Sequence, residues 1–167
     1  MGEGGMMKAL ALGVLLLAAP VQARSPEALV TAWMAALTAK DRPALAAMVA
    51  ADAVFEYPFD RSGKTEAGSR RVFRGRDAVL AGYVDPALAR LERIGWTERD
   101  VTVAADGKRV FVEALGDMVL NGKPYRNRYV LRFDLKGGKI MGMKEYLNPV
   151  TAAIVTGTTT GAESTPR

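Results

Sequence analysis

Apolar positions in this chain change their spacing twice, and each change marks a new kind of element. Ala9 to Ala19 is an unbroken apolar run of eleven residues closed by Pro20. It is too short to cross a bilayer, which takes about 20 residues. Behind it, Ser25-Pro26 has the form of a helix start, and Leu29, Trp33 and Leu37, flanked by Val30 and Met34, recur at helical spacing. A second short helix is predicted after Asp41, with Leu45, Met48 and Val49 inward. From Ala53 to Phe59 the period shortens to that of a strand, interrupted by Pro58. Residues 60–70 are polar and Gly-containing, and read as a mobile loop. The set Val79, Leu80, Tyr83, Val84, Leu88 and Leu91 predicts a third helical segment, bent at Asp85-Pro86.

Strands dominate the second half. Ile94–Val103, Arg109–Val119, Tyr125–Leu135 and Lys139–Leu147 are separated by Asp106-Gly107, Asn121-Gly122 and Gly137-Gly138, of which Asn-Gly is the strongest hairpin signal. Helices followed by an antiparallel meander define an α+β order, with the helices covering one face of the sheet. Thr151–Arg167 offers little to bury, so a disordered tail is expected there apart from Ala153–Val155.

The N-terminus changes this picture by assigning a compartment. Lys8 supplies a positive charge before the apolar run, and Val21-Gln22-Ala23 presents small or short residues where a signal peptidase reads. Residues 1–23 are therefore expected to be a secretory signal peptide, residues 24–150 a single domain, and the product periplasmic or secreted, with no membrane span after cleavage. Met6 or Met7 is an alternative start.

Composition removes whole classes of chemistry. The 167 residues contain neither Cys nor His, so disulfides, thiol nucleophiles, imidazole bases and His-based metal sites are all excluded. No metal or cofactor is expected. The formal charge is +5, and loss of Glu3 with Lys8 would leave it unchanged. Arg70, Arg71, Arg74 and Arg76 cluster, but Asp77 follows and no nucleic-acid motif surrounds them. They read as a solvated basic face, with binding of an anionic surface as the alternative.

Three strings, DRPALAAMVAADAVFEYPF (Asp41–Phe59), FRGRDAVLAGY (Phe73–Tyr83) and NGKPYRNRYVLRFDLKGGKIMGMKEYLNP (Asn121–Pro149), resemble the SnoaL-like branch of the nuclear-transport-factor-2-like superfamily. That group includes ketosteroid isomerases and limonene epoxide hydrolase. The resemblance spans residues 26–150 and implies a cone-shaped α+β fold, in which the N-terminal helices pack in the concave face of a curved, mostly antiparallel sheet. It also implies a homodimer through the convex face, where Arg126, Arg128, Arg132 and Val130 would lie.

Against the isomerase pattern, Tyr57 stands where the general base belongs, while Trp33 and Tyr129 stand at the two oxyanion donors. The carboxyl groups of that pattern are missing, which argues against ketosteroid isomerisation itself. Against the hydrolase pattern, Glu145 falls on one water-activating acid and Glu113 on the other if the loop before Asn121 is one residue shorter. Phe111 then replaces the arginine, and Phe55 and Tyr57 replace the Tyr and Asn that hold the water.

Strand parity extends this reading. With Tyr129 inward, Tyr125, Asn127, Leu131 and Phe133 follow it, and Arg126, Arg128 and Arg132 face away. The neighbouring strand divides into Phe111, Glu113, Leu115 and Asp117 against Val110, Val112, Ala114 and Met118. On the last strand, Met141, Met143, Glu145 and Leu147 share a side. Glu145 and Glu113 are the candidate acid/base pair, because a carboxylate among large apolar groups needs a partner or a proton. Trp33, Phe55, Tyr57, Asn127, Tyr129 and Met143 complete a candidate chamber for a small lipophilic molecule bearing oxygen. Glu56 is expected outside it, and Asp117 facing solvent. Three functions remain open: cofactor-independent acid/base catalysis of isomerase, lyase or hydrolase type, small-molecule binding without turnover, and a structural or protein-interaction module.

Overall fold

The computed structural model describes residues 1, 24–59, 64, 66 and 68–157. The proposed signal peptide, most of the 60–70 loop and the last ten residues lie outside the described residues.

Helix α1 (Pro26–Thr38) begins where the Ser25 hydroxyl accepts from the Ala28 N–H and Pro26 supplies a preset φ. Its buried stripe is the expected one, with Trp33 and Met34 almost wholly enclosed. Helix α2 (Arg42–Met48) is capped by Asp41 and leads directly into β1 (Val49–Tyr57). A short edge strand that sequence periodicity did not reveal, β2 (Arg71–Arg74), pairs antiparallel with β1.

The third helical segment is continuous but irregular. Helix α3 (Arg76–Val79) passes into a π-helical turn (Leu80–Val84) and then α4 (Asp85–Arg90). The widened turn falls just before Pro86, which has no N–H to give the Gly82 carbonyl. It places Tyr83 on the inner side, and such turns recur at functional positions.

The remaining strands are β3 (Leu91–Arg93), β4 (Trp96–Val103), β5 (Arg109–Leu120), β6 (Lys123–Lys136) and β7 (Lys139–Leu147). The strand expected over Ile94–Val103 is β4, and β3 is an additional short strand just before it; both pair with β5. The β5–β6 hairpin turns at Asn121-Gly122, where φ is positive at both residues. Asn and Gly are the residues that tolerate this conformation. Strand order is β2-β1-β7-β6-β5-β3, with β4 also on β5. The β1–β7 pairing is parallel and the rest antiparallel.

This topology corrects the expected cone. The sheet is open, with β2 and β3 as the two ends of its path and no pairing that joins them, so it neither closes nor curls on itself. What stands is a mixed α+β arrangement with helices against one sheet face, and the core lies between them: Leu29, Trp33, Leu45, Phe55, Tyr129 and Phe133 belong to one buried cluster. A second correction concerns the C-terminus. Pro149–Thr156 forms helix α5, capped by the Asn148 side chain and closed by Gly157, and Ala152 and Ala153 are buried. Two small apolar residues suffice, because they sit against an existing wall rather than building one. No described helix is long and apolar enough to cross a membrane.

Candidate functional site

A cavity of about 160 Å³ opens between the inner sheet face, α4 and α5. Its wall is made by large side chains from separate elements: Tyr57 from β1, Tyr83 from the π turn, Trp96 from β4, Tyr125 and Tyr129 from β6, and Glu145 from β7. Glu145 is the only acid among the lining residues.

Register explains why these groups meet. In the β5–β6 hairpin Ala114 lies opposite Tyr129, Gly116 opposite Asn127 and Met118 opposite Tyr125. Directly opposed residues share a face, so all six point inward. On β4, Trp96 opposes Gly116. The missing side chain at that glycine makes room for its neighbours, since a Cβ there would sit 2.7 Å from Tyr129 Cε2. The Trp96 and Tyr129 rings accordingly meet edge to face at 5.4 Å.

Glu145 is 9% exposed and accepts a short hydrogen bond from the Tyr83 hydroxyl. Burial pushes its pKa up to about 7, against the opposing influence of that hydrogen bond and of the Arg71 charge. The carboxyl therefore exchanges its proton near neutrality. Tyr83 and Tyr129 are driven well above the usual phenol value, first by burial and then by the nearby Glu145 charge. Both phenols stay protonated and can donate. The Tyr129 hydroxyl lies 3.9 Å from the Met118 sulfur, a weak acceptor, so it can be recruited by a better one. Tyr57 packs on Tyr83 with ring centroids 5.4 Å apart, and the Arg71 guanidinium sits 4.2 Å above the Tyr57 ring.

Of the eight candidate site residues, Glu145, Tyr129 and Tyr57 meet at this cavity. Glu113 does not. It is exposed and opposes Val130 on the bare outer face, because an inward Tyr129 requires an inward Ala114 and hence an outward Glu113. Asn127 is inward and 3% exposed, but its amide is consumed structurally. It donates to the Tyr125 hydroxyl and the Asn148 carbonyl, each at 3.0 Å, and accepts from the Asn148 N–H at 3.0 Å. Trp33, Phe55 and Met143 are buried behind the cavity rather than lining it. Phe55 bridges Trp33 and Tyr83 by two edge-to-face contacts, at 5.7 and 5.3 Å. Strand β7 shifts register around Met141, between its pairings at Ile140 and Gly142, and Met141 is half-buried and packs against the same core as Met143.

Glu56 lies on the opposite face, as expected, yet it is buried there. Arg70 at 2.7 Å and Lys144 at 3.1 Å cover it. Asp117 is bound on the surface by Arg93 at 2.8 Å and Arg126 at 3.5 Å. Sequence reasoning missed Tyr83, Trp96 and Arg71 as cavity groups. Tyr83 carried no mark beyond its place in an apolar helical stripe, and Arg71 was read as one of a solvated cluster.

A match over residues 30–143 to the SnoaL-like domain family covers most of the chain. The protein belongs to that family, within the nuclear-transport-factor-2-like superfamily whose members bind or transform small molecules. Among particular relatives, it is 26% identical over 120 residues to the uncharacterized protein YesE of Bacillus subtilis, covering 71% of this chain and 78% of that one. A solved Bacillus subtilis structure superposes with a TM-score of 0.66 at 24% identity, covering 80% of this chain and 91% of that one. A Catenulispora acidiphila protein, described as having a ketosteroid isomerase-like fold and solved with trimethylamine, gives 0.61 at 23%, covering 83% and 97%. These structural likenesses establish the fold.

Proposed function

We propose that this is an exported protein whose cavity carries out cofactor-independent acid/base chemistry on a small lipophilic molecule bearing oxygen, with Glu145 moving the proton. One observation carries the reading: the only acid among the described residues that line the cavity is buried, held by a neutral phenol and pushed to a pKa of about 7. A group with that pKa is divided between acid and base at neutral pH, which is the condition for efficient proton transfer in either direction. Tyr129, and Tyr83 once its bond to Glu145 is shared, supply hydrogen bonds to an oxygen on which charge develops. The apolar wall excludes water that would compete for those donors.

Isomerisation, elimination and water addition each fit this set of groups. The ketosteroid isomerase assignment does not, since Tyr57 cannot serve as the carboxylate base. A second reading, binding without turnover, is favoured by one feature: Glu145 already accepts a hydrogen bond from Tyr83. Export rests on the pattern at residues 1–23, and intact-mass measurement of protein from the producing cell should find a chain beginning at Arg24.

The deciding experiment screens small lipophilic carbonyl compounds, epoxides and hydroxy compounds for binding and product formation together, using native protein and Glu145→Gln. Turnover should fall about 10²- to 10⁴-fold in the variant while binding persists. Equal turnover by both proteins removes Glu145 from the chemistry. Saturable binding with no product from either assigns the cavity to carriage or sensing.

A further inference from the structure

The cavity is rich in hydrogen-bond donors and poor in acceptors. Arg71 from β2 and Arg90 from α4 both line it. Seven other arginines, at positions 42, 70, 93, 109, 126, 128 and 132, are each paired with a carboxylate. Among the described residues Arg71 and Arg90, both exposed, have no such partner; Arg24, Arg74, Arg76 and Arg99 also have none, but only Arg71 and Arg90 line the cavity. Arg71 rests its planar face on Tyr57, which leaves the N–H edge of the fork free to bind. The Trp96 indole N–H is buried at the cavity wall and donates to no described group. A buried donor without an acceptor is destabilising, and a ligand acceptor placed against it would relieve that cost.

We propose that the ligand of this cavity is an amphipathic organic carboxylate, whose carboxylate is held by Arg71, with Arg90 as a second cation, and whose apolar body lies against Trp96, Leu120 and Leu147. A neutral lipophilic molecule would fill the same volume but offer no anion to the two exposed cations that line it. A guanidinium fork matches a carboxylate through two parallel hydrogen bonds, and a ring stacked beneath it fixes its plane in advance. Glu145 does not compete for this role. Its carboxyl is already engaged by Tyr83, and a half-protonated acid is a poor counter-ion.

The proposal deepens the acid/base reading by naming its substrate class, and it rests on that reading only for the identity of the site. Calorimetric titration at pH 6, where Glu145 is mostly protonated and both ligand acids are ionised, compares 2-naphthoate with 2-naphthamide, and cyclohexanecarboxylate with cyclohexanecarboxamide, so that shape stays constant within each pair and charge changes. The native protein should prefer the carboxylate of each pair by about tenfold or more. Arg71→Gln should reduce that preference to near unity, Arg90→Gln should reduce it less, and Arg71→Lys should retain part of it.

Equal affinity for acid and amide in the native protein overturns the proposal without any variant being needed, as does the absence of saturable binding by both carboxylates. A preference that survives Arg71→Gln overturns the assignment to Arg71. Failure of the catalytic reading is separable: if Glu145→Gln leaves turnover unchanged while the carboxylate preference persists, the site binds anions and performs its chemistry, if any, without Glu145.

Discussion

Glu56 and Glu145 are both buried carboxylates, carried on the neighbouring strands β1 and β7, and they face opposite sides of one sheet. On the outer side, Glu56 lies under two cations, and one of them is Lys144, the residue next to Glu145 in the chain. On the inner side, Glu145 has a phenol for company and a charge no nearer than the mouth of the cavity. Enclosure is therefore shared, and what differs is compensation. A paired carboxylate belongs to the framework, whereas Glu145, enclosed without an ion-pair partner, has its pKa pushed up to about 7.

The sharpest way to break this comparison is a pH titration of stability. The folded-state pKa of Glu145, about 7, lies above its ordinary 4.5. Its stabilising contribution is thus complete below pH 4.5, declines as pH rises toward 7, and is gone above that. The loss across this window is on the order of 3 kcal/mol. Glu145→Gln should flatten that segment of the curve in chemical denaturation, and a variant curve parallel to the native one would show that Glu145 is not the group titrating. A smaller effect is expected on the other face. Glu56→Gln removes the anion that Arg70 and Lys144 share, which should cost about 1–2 kcal/mol at low ionic strength and less in high salt. A loss independent of salt would mean that packing, not charge, is what Glu56 supplies. The smallest effect belongs to Glu113. Being exposed on the outer face, Glu113→Gln should change stability by less than about 0.5 kcal/mol and leave every cavity measurement untouched. A change in turnover there would restore it to the chemistry.

Why Glu145 could be read from the chain and Glu113 was misplaced is a matter of which pattern is ambiguous. Strand β6 alternates aromatic or apolar residues with arginines, and only one of its faces can be buried. Strand β5 offers two faces of nearly equal apolar character, one led by Phe111 and Leu115, the other by Val110 and Val112. Composition does not choose between them. The hairpin does, because a two-residue Asn121-Gly122 turn pairs Leu120 with Lys123, and counting back along both strands sets Tyr129 against Ala114. Tyr83 and Arg71 were hidden for another reason. Tyr83 lies in an apolar helical stripe that marks it as core and not as a hydrogen-bond donor to an acid, and Arg71 owes its position to β2, a four-residue edge strand too short to show a period. The closed cone was an inheritance from family resemblance, and strand pairing, which alone decides whether a sheet shuts, is not written in local periodicity.

The Asn127 amide fastens the start of α5 to the middle of β6 by both its donor and its acceptor, while Pro149, Ala152 and Thr156 of that helix form one side of the cavity. The acid and the phenols stand on the sheet and the π turn, so the helix beyond the clasp can be exchanged as a cassette. Enlarging Ala152, or grafting a different eight-residue helix after Asn148, would resize the chamber and change which molecules enter while leaving the proton chemistry in place. A part of the chain that reads as a featureless tail is thereby the adjustable component of the site, a dial for selectivity mounted on a fixed reactive frame.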